Sequence, residues 1–346
     1  KSETCSAAVD WSRQTLGKSQ NAQFPIEIIV NSGNANVFTG SYGVNTVKET
    51  VSSVAHRLNT SQDNIFVAST GVIGEYLDFK KITSKIEKLR ENLKPDSFLN
   101  AAKAIMTTDT FPKGSSIECH LESTPIKISG IAKGSGMIAP NMATMLVFIF
   151  SDISIEKSIL QEIIRKCNKK SFDRITVDSD TSTSDSLFVI ATGTAKMPKI
   201  KSIKDSRVLK FQKHLQQLML ELAHLVIKDG EGITKFVEIV IKGAKSNKKA
   251  LRLGKSIAES PLVKTAFAGE DPNWGRIIMA IGKAGVRINK EKISIFFGDH
   301  AIAENGSISR YFSEYAVSKY MKNDSLVVTV DLAEGSKKAS IYTCDL

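Results

Sequence analysis

Apolar positions along this chain recur with two periods, and the switches between them predict a layered α/β protein with helices packed on central sheets. After Pro25, Ile26-Glu-Ile-Ile-Val30 reads as a strand that ends in a polar turn, Asn31 to Asn36. Thr46 followed by Glu49 reads as a capping box, with Val47, Val51, Val54 and Leu58 at helical spacing. Asn64 to Ala68 reads as a short buried strand broken by Ser69-Thr-Gly71. Ile126, Ile128 and Gly130 alternate ahead of a glycine loop, Gly130 to Gly136. Met145 to Phe150 is apolar without interruption, which predicts a central strand covered on both faces. Ile159, Leu160, Ile163, Ile164 and Cys167 define one helix face. Asp205 to Lys228 predicts a long helix with Leu215, Leu218, Leu222, Leu225 and Val226 inward, stopped at Asp229-Gly230. Phe236 to Ile241, Ile293 to Phe297 and Ser325 to Val330 are further strands, and Pro261 to Phe267 leads into a turn over Gly269 to Gly275. No repeat, low-complexity segment or linker interrupts the pattern; Lys196 to Asp205, Lys-rich around Pro198, is the expected exposed insertion.

Composition narrows the class. At 346 residues, with 42% hydrophobic and 24% charged content, the chain can bury a large core and resembles a soluble globular protein. Its best apolar run, Met142 to Phe150, is about half a membrane span. The chain starts at Lys1 without Met, so the native N-terminus is expected to lie upstream. Cys5, Cys119, Cys167 and Cys344 are scattered, which predicts reduced, mostly buried thiols and fits a cytosolic compartment. The five His residues form no cluster, so neither a zinc site nor a Ser-His-Asp triad is expected. A net charge of +11 could mean nucleic acid or another anionic partner. However, Lys is spread over nearly every helix among Asp and Glu, aromatics are 7%, and no nucleic-acid motif is present. No nucleic-acid or membrane partner is expected.

The candidate chemistry centres on Thr144, a Thr behind a small residue, Ala143, at the mouth of the apolar strand. Such a Thr can attack its own preceding carbonyl, and hydrolysis of the resulting ester would leave it as a new N-terminus. Its freed amine, with a pKa of roughly 7.7–8.0, would then serve as the base for its own hydroxyl. Ala-Thr before a strand is also an ordinary pattern. Ser69-Thr-Gly71 could form an oxyanion loop, with Thr70 offering a hydroxyl and Gly71 a close backbone approach, or a plain turn. Lys133 could meet a substrate carboxylate or be a solvated lysine. Thr107 and Thr108 could hydrogen-bond a carboxylate or amide, and Glu231 could hold an ammonium or be solvated after its glycine turn. Gly130, Gly134 and Gly136 suggest a phosphate cradle but lack the Gly-Lys-Ser/Thr ending of a P-loop.

Six segments occur in a telling order: Asn31-Ser-Gly-Asn-Ala-Asn36, Ser69-Thr-Gly-Val-Ile-Gly74, Met106-Thr-Thr-Asp-Thr110, the block Gly130 to Leu146, Asp229-Gly-Glu-Gly-Ile-Thr-Lys235 and Gly269-Glu-Asp-Pro-Asn-Trp-Gly-Arg276. Together they closely resemble the ornithine acetyltransferase family of arginine biosynthesis, over essentially the whole chain. The resemblance implies an N-terminal-nucleophile-like self-processing enzyme cut between Ala143 and Thr144. An α-chain, 1–143, and a β-chain, 144–346, would stay together as an α2β2 assembly. Thr144 would take acetyl from N-acetylornithine, release ornithine and pass acetyl to glutamate, with no metal or tight cofactor; some members also use acetyl-CoA. Thr70 and Gly71 match the family's oxyanion pair, while Thr107, Lys133 and Glu231 match binding positions. The setting implied is the cytoplasm, or the mitochondrial matrix for a fungal source. The family continues past Leu346 into a short tail, bearing an Asn and a hydroxyl residue, that closes the pocket. Two other classes stand beside this reading. One is an N-terminal-nucleophile amidase or aminopeptidase, which would hydrolyse rather than transfer. The other is a basic nucleic-acid-binding protein.

Overall fold

The computed structural model describes residues 2–18, 25–139 and 145–346. Ala143 and Thr144, where cleavage is expected, lie outside the described residues. The strands are β1 (Glu27–Asn34), β2 (Ile65–Val72), β3 (Lys113–Leu121), β4 (Thr124–Lys133), β5 (Leu146–Ser151), β6 (Ser186–Ala191), β7 (Phe236–Ala244), β8 (Ser294–Phe297), β9 (His300–Glu304), β10 (Ser307–Ile308), β11 (Ser325–Asp331) and β12 (Lys337–Cys344). Among the described residues they form a parallel pair β1-β2, a four-stranded sheet β3-β4-β5-β6 and a six-stranded sheet β10-β9-β8-β11-β7-β12. The α/β layering expected from the sequence is present.

The pair and the four-stranded sheet pack face to face. Alternation along β5 sends Val147 and Ile149 toward the helices Lys157–Asn168 and Ser206–Ile227, and Leu146 and Phe148 toward Ala68 of β2. Residues on both sides of β5 are therefore buried, which is why Met145 to Phe150 carries no polar side chain. Likewise Ile65 and Val67 of β2 face Val47, Val51 and Val54 of the helix Gly40–Leu58, while Phe66 meets Phe188 of β6 edge to face at 5.9 Å. Gly130 is bare because a Cβ there would stand 3.0 Å from both Ile149 and Leu222, so the long helix can lie close on β4. The six-stranded sheet has its own core, with Val237, Ile239 and Ile241 against Ala250, Leu253 and Ile257. His224 joins it to the long helix, its ring 4.3 Å from that of Tyr342 and 5.2 Å from that of Phe236.

Several sequence expectations are corrected. Asn31 to Asn34 and Ser69 to Gly71 are not turns but the ends of β1 and β2, whose parallel register runs on through Asn31–Ser69, Ser32–Thr70 and Gly33–Gly71. Ser69 Oγ donates to Asn31 Oδ1 at 2.7 Å, so the polar side chains are satisfied within the ladder. The helix begins at Gly40 behind Thr39, not at a Thr46 cap. Thr46 lies inside it, buried, with its hydroxyl on the Leu77 carbonyl at 2.9 Å. Strand β4 runs to Lys133, so half of the expected glycine loop is strand. Residues 196–205 are largely exposed, as expected, but Ile200 is buried and its N–H donates to the Ser154 carbonyl at 2.9 Å. Cys119, Cys167 and Cys344 are buried free thiols, and Cys5 is half-buried.

A buried ion cluster ties these layers together. Lys113, at the start of β3, has no exposed side-chain surface and donates to Asp109 Oδ1 at 2.6 Å and Asp229 Oδ2 at 2.5 Å. Removing one member of a buried charge set strands the others, at a cost of about 3–5 kcal/mol. Lys113→Met should therefore lower unfolding free energy in urea by about that much. A loss near zero would show that the carboxylates find compensation elsewhere.

Candidate active site

Three chain segments meet at the Lys133 ammonium group, and the charge of Glu231, from a fourth, acts on it. Thr70 comes from the end of β2, Lys133 from the end of β4, and Thr107 and Asp109 from the turn after the helix Phe98–Ala104. Asp229 and Glu231 come from the turn after the helix Ser206–Ile227. Lys133 Nζ donates to Thr107 Oγ1 at 2.8 Å and to Thr70 Oγ1 at 3.2 Å, and lies 3.7 Å from Asp109 Oδ2. Both hydroxyl oxygens accept from Lys133, so each keeps its own O–H free to donate. Of the two threonines considered in the 106–110 segment, Thr107 makes this contact.

Burial alone would raise the Asp109 carboxyl. The Lys113 ammonium, the N–H groups of Gly134 (2.7 Å) and Thr107 (3.0 Å) and the charge of Lys133 outweigh it and hold the carboxyl below its ordinary value. Burial lowers the Lys133 pKa, with Asp109 and Glu231 opposing and Lys113 adding to the decrease. Asp229 accepts from the Thr110 N–H and hydroxyl, and its carbonyl accepts from Ser135 Oγ at 2.6 Å. The carboxylates thus tie the turns on either side of Lys133 to one another.

Glu231 is exposed, at the rim, and its carboxylate lies over Gly136, where a Cβ would stand 2.8 Å from Oε1. A buried cation and a rim anion on one site suit the two charged ends of an α-amino acid. Gly71 has φ +126° and a built Cβ would stand 2.2 Å from the Gly33 carbonyl carbon, so only glycine fits there. The structure therefore brings Thr70, Thr107, Lys133 and Glu231 into one neighbourhood, with Gly71 adjoining. Thr144 and Ala143 lie outside the described residues, but Met145, the residue after Thr144, is buried at the mouth of β5.

Sequence reasoning missed the acidic residues that hold this site. Asp109 and Asp229 stood inside motifs already singled out, without being assigned a role. Asp178 accepts from the Met137 and Ile138 N–H groups at 2.5 and 3.0 Å, anchoring the far end of the glycine segment. Asp185 Oδ1 accepts from the Met145 N–H at 2.8 Å. Its Oδ2 is shielded from solvent and has no hydrogen-bond partner among the described residues. Burial pushes this carboxyl up to about 8, against the lowering effect of the Met145 N–H and of Lys133. The signal available in the sequence was three Asp among hydroxyl residues between Asp178 and Asp185, directly before a strand.

Among the described residues no group of His, Cys, Asp and Glu could hold a metal ion, and no helix is long and apolar enough to cross a membrane. Clefts among the described residues include two away from this site. One of about 750 Å³ is lined by Phe98, Ala102, Gly130 and Phe150, and one of about 1130 Å³ by residues that include Lys170, Arg174, Arg252 and Lys255. Neither includes Thr70, Thr107, Lys133 or Glu231.

The family model described as the ArgJ family matches residues 1–346. The chain is 46% identical over 341 residues to the arginine biosynthesis bifunctional protein ArgJ of Caulobacter vibrioides, covering 99% of this chain and 84% of that protein. It is 48% identical over 322 residues to the protein of the same name from Ruegeria pomeroyi, covering 93% and 78%. A crystal structure of the Bacillus halodurans arginine biosynthesis bifunctional protein is similar at a TM-score of 0.54 and 36% identity, covering 56% of this chain and 91% of that one. With a match over its whole length and close relatives on nearly all of it, this chain belongs to the ArgJ family.

Proposed function

We propose that this chain is a self-processing acetyltransferase of arginine biosynthesis that moves acetyl from N-acetylornithine to glutamate through an ester on Thr144. The observation that carries the reading is the convergence of Thr70, Thr107, Lys133 and Glu231 beside the mouth of β5, where Thr144 immediately precedes Met145. Thr144 Oγ1 attacks the acetyl carbonyl while the Thr144 amine takes its proton. Thr70, whose oxygen is engaged by Lys133, turns its own O–H to the oxyanion, with the Gly71 N–H beside it. Departing ornithine recovers the proton, and glutamate then attacks the ester in reverse. Ornithine and glutamate share the α-carboxylate, which Lys133 and Thr107 meet, and the α-nitrogen that gives up or receives the acetyl, so one pocket serves in turn. Family membership favours this transfer over an amidase, and over a nucleic-acid role for the basic charge. Acetyl-CoA is a further acetyl donor for glutamate in this reading, and no metal or tightly held cofactor takes part. The α-chain is 1–143 and the β-chain 144–346, assembled as α2β2 in the cytoplasm.

Three measurements test the reading. Intact mass of the denatured protein should give fragments of 143 and 203 residues, ending at Ala143 and starting at Thr144. Thr144→Ala should remain a single chain, and an active but uncut wild type would overturn self-processing. Lys133→Ala should lower kcat/KM for acetylornithine strongly, since truncating one side of a buried charge contact costs about 2–5 kcal/mol, and Glu231→Ala should lower it less, because Glu231 is exposed. Wild-type kinetics in both would remove them from the site. Double-reciprocal plots with acetylornithine and glutamate varied should be parallel, as covalent catalysis by ping-pong requires. Intersecting plots with no acetylated Thr144 would point to direct transfer.

A further inference from the structure

The larger of the two clefts has a charge pattern that the described residues do not balance. Its volume is about 1130 Å³, and its walls come from the end of the helix Lys157–Asn168, the segment after it and the helix Asn247–Ala258. Eight Lys and Arg side chains line it, against two carboxylates, those of Asp173 and Glu259. The first helix explains its own share. Lys166, Lys169 and Lys170 stand at its C-terminal end, where the helix dipole favours cations, and Lys166 pairs with Glu162 at 2.6 Å. The second helix has no such reason. Lys248 stands in its first turn, the end where a cation is disfavoured. Arg252 and Lys255 follow at i+4 and i+7, so three like charges share the face that lines the cleft, an arrangement that destabilises a free helix. Among the described residues, Lys169, Lys170, Lys248, Arg252 and Lys283 take part in no ion pair. Burial raises the carboxyls of both Asp173 and Glu259, against the lowering effect of Lys255 on each, so the two acids are weak counter-charges. Arg174 is half-buried and already held: Nε donates to the Lys169 carbonyl at 2.8 Å and Nη1 to the Ser340 carbonyl at 3.1 Å, which leaves Nη2 for a ligand.

We propose that this cleft binds a small anion carrying at least two phosphate groups. Arginine forks and lysine point charges are the usual partners of phosphate oxygens, and the excess of cations is more than a single carboxylate would offset. A concave site suits a small ligand. No aromatic side chain lines the cleft, so it offers no stacking platform to the bases of a nucleic-acid strand. The site is separate from Thr70, Thr107, Lys133 and Glu231, yet it borders the same frame. Ser179 lines the cleft, and Asp178 before it holds the Met137 and Ile138 N–H groups of the glycine segment. Two sources carry this chemistry: a free polyphosphate, and the phosphate end of an acetyl-CoA donor.

Calorimetric titration of inorganic pyrophosphate into the wild-type protein tests the site. Saturable binding is expected, weakening as salt screens the charges. The pair Lys169→Ala and Arg252→Ala should raise Kd at least ~10-fold, since each loss removes a charge-assisted hydrogen bond. The pair Lys196→Ala and Lys201→Ala removes the same charge from exposed positions outside the cleft and should bind as wild type does. If the first pair does not fold, Lys170→Gln with Lys248→Gln takes its place under the same criterion. No saturable binding, equal weakening by the pairs inside and outside the cleft, sulfate bound as tightly as pyrophosphate, or a DNA duplex bound more tightly through the same side chains would each overturn the proposal. Wild-type kinetics then separate the sources, and either result supports the site. Pyrophosphate that competes with acetyl-CoA and leaves transfer from acetylornithine unchanged identifies the coenzyme's phosphates. Pyrophosphate that alters transfer from acetylornithine without competing with acetyl-CoA identifies a free anion. Because binding is read directly, the proposal holds or fails independently of the acetyl-transfer reading.

Discussion

Lys113 lies between Asp109 and Asp229 with no surface exposed to water, and the rest of the site depends on that contact. Three charges withdrawn from solvent are tolerable only when every one is met at hydrogen-bond distance. The requirement locks the turn after the helix Phe98–Ala104, the start of β3 and the end of the helix Ser206–Ile227 into one arrangement. Asp109 extends the lock to β4 by accepting from the Gly134 N–H and facing Lys133. Thr107 and Glu231 are two residues from these anchors along the chain. Their positions follow from a charge-compensation constraint rather than from any contact of their own with a core.

The layers explain why the site lies where it does. The strands that are covered on both faces, β2 and β5, cannot carry polar side chains in mid-strand without burying them unpaired. Polar groups therefore collect at strand ends: Ser69, Thr70 and Gly71 on β2, Lys133 on β4, and the mouth of β5 beside Asp185. The β1-β2 pairing has to persist into this polar zone to bring Thr70 to Lys133, and the bare backbone at Gly71 permits that approach. The six-stranded sheet with its separate core contributes through the long helix, whose far end presents Asp229 and Glu231.

Much of the fold is written locally. The uninterrupted apolar run from Met145 to Phe150, the helical spacing from Asp205 to Lys228 and the strands at Phe236, Ile293 and Ser325 all appear near their predicted positions. Periodicity reports how many faces of a segment are buried, and that is a property of the segment itself. The order of the six motifs carried the family, because residue identity at fixed spacing is also local. Tertiary structure alone decided the rest. The polar ends of β1 and β2 read as turns because their partners, Ser69 for Asn31 and Gly71 for Gly33, lie far away in the chain. Thr46 read as a cap because nothing nearby shows that its hydroxyl is claimed by Leu77. Lys113, Asp109 and Asp229 look like ordinary surface charges one at a time. Their burial is affordable only as a set, and a set assembled from positions more than a hundred residues apart has no signature in any window of sequence. The same holds for Asp185, whose unclaimed oxygen becomes conspicuous only when folding removes the water that would have satisfied it.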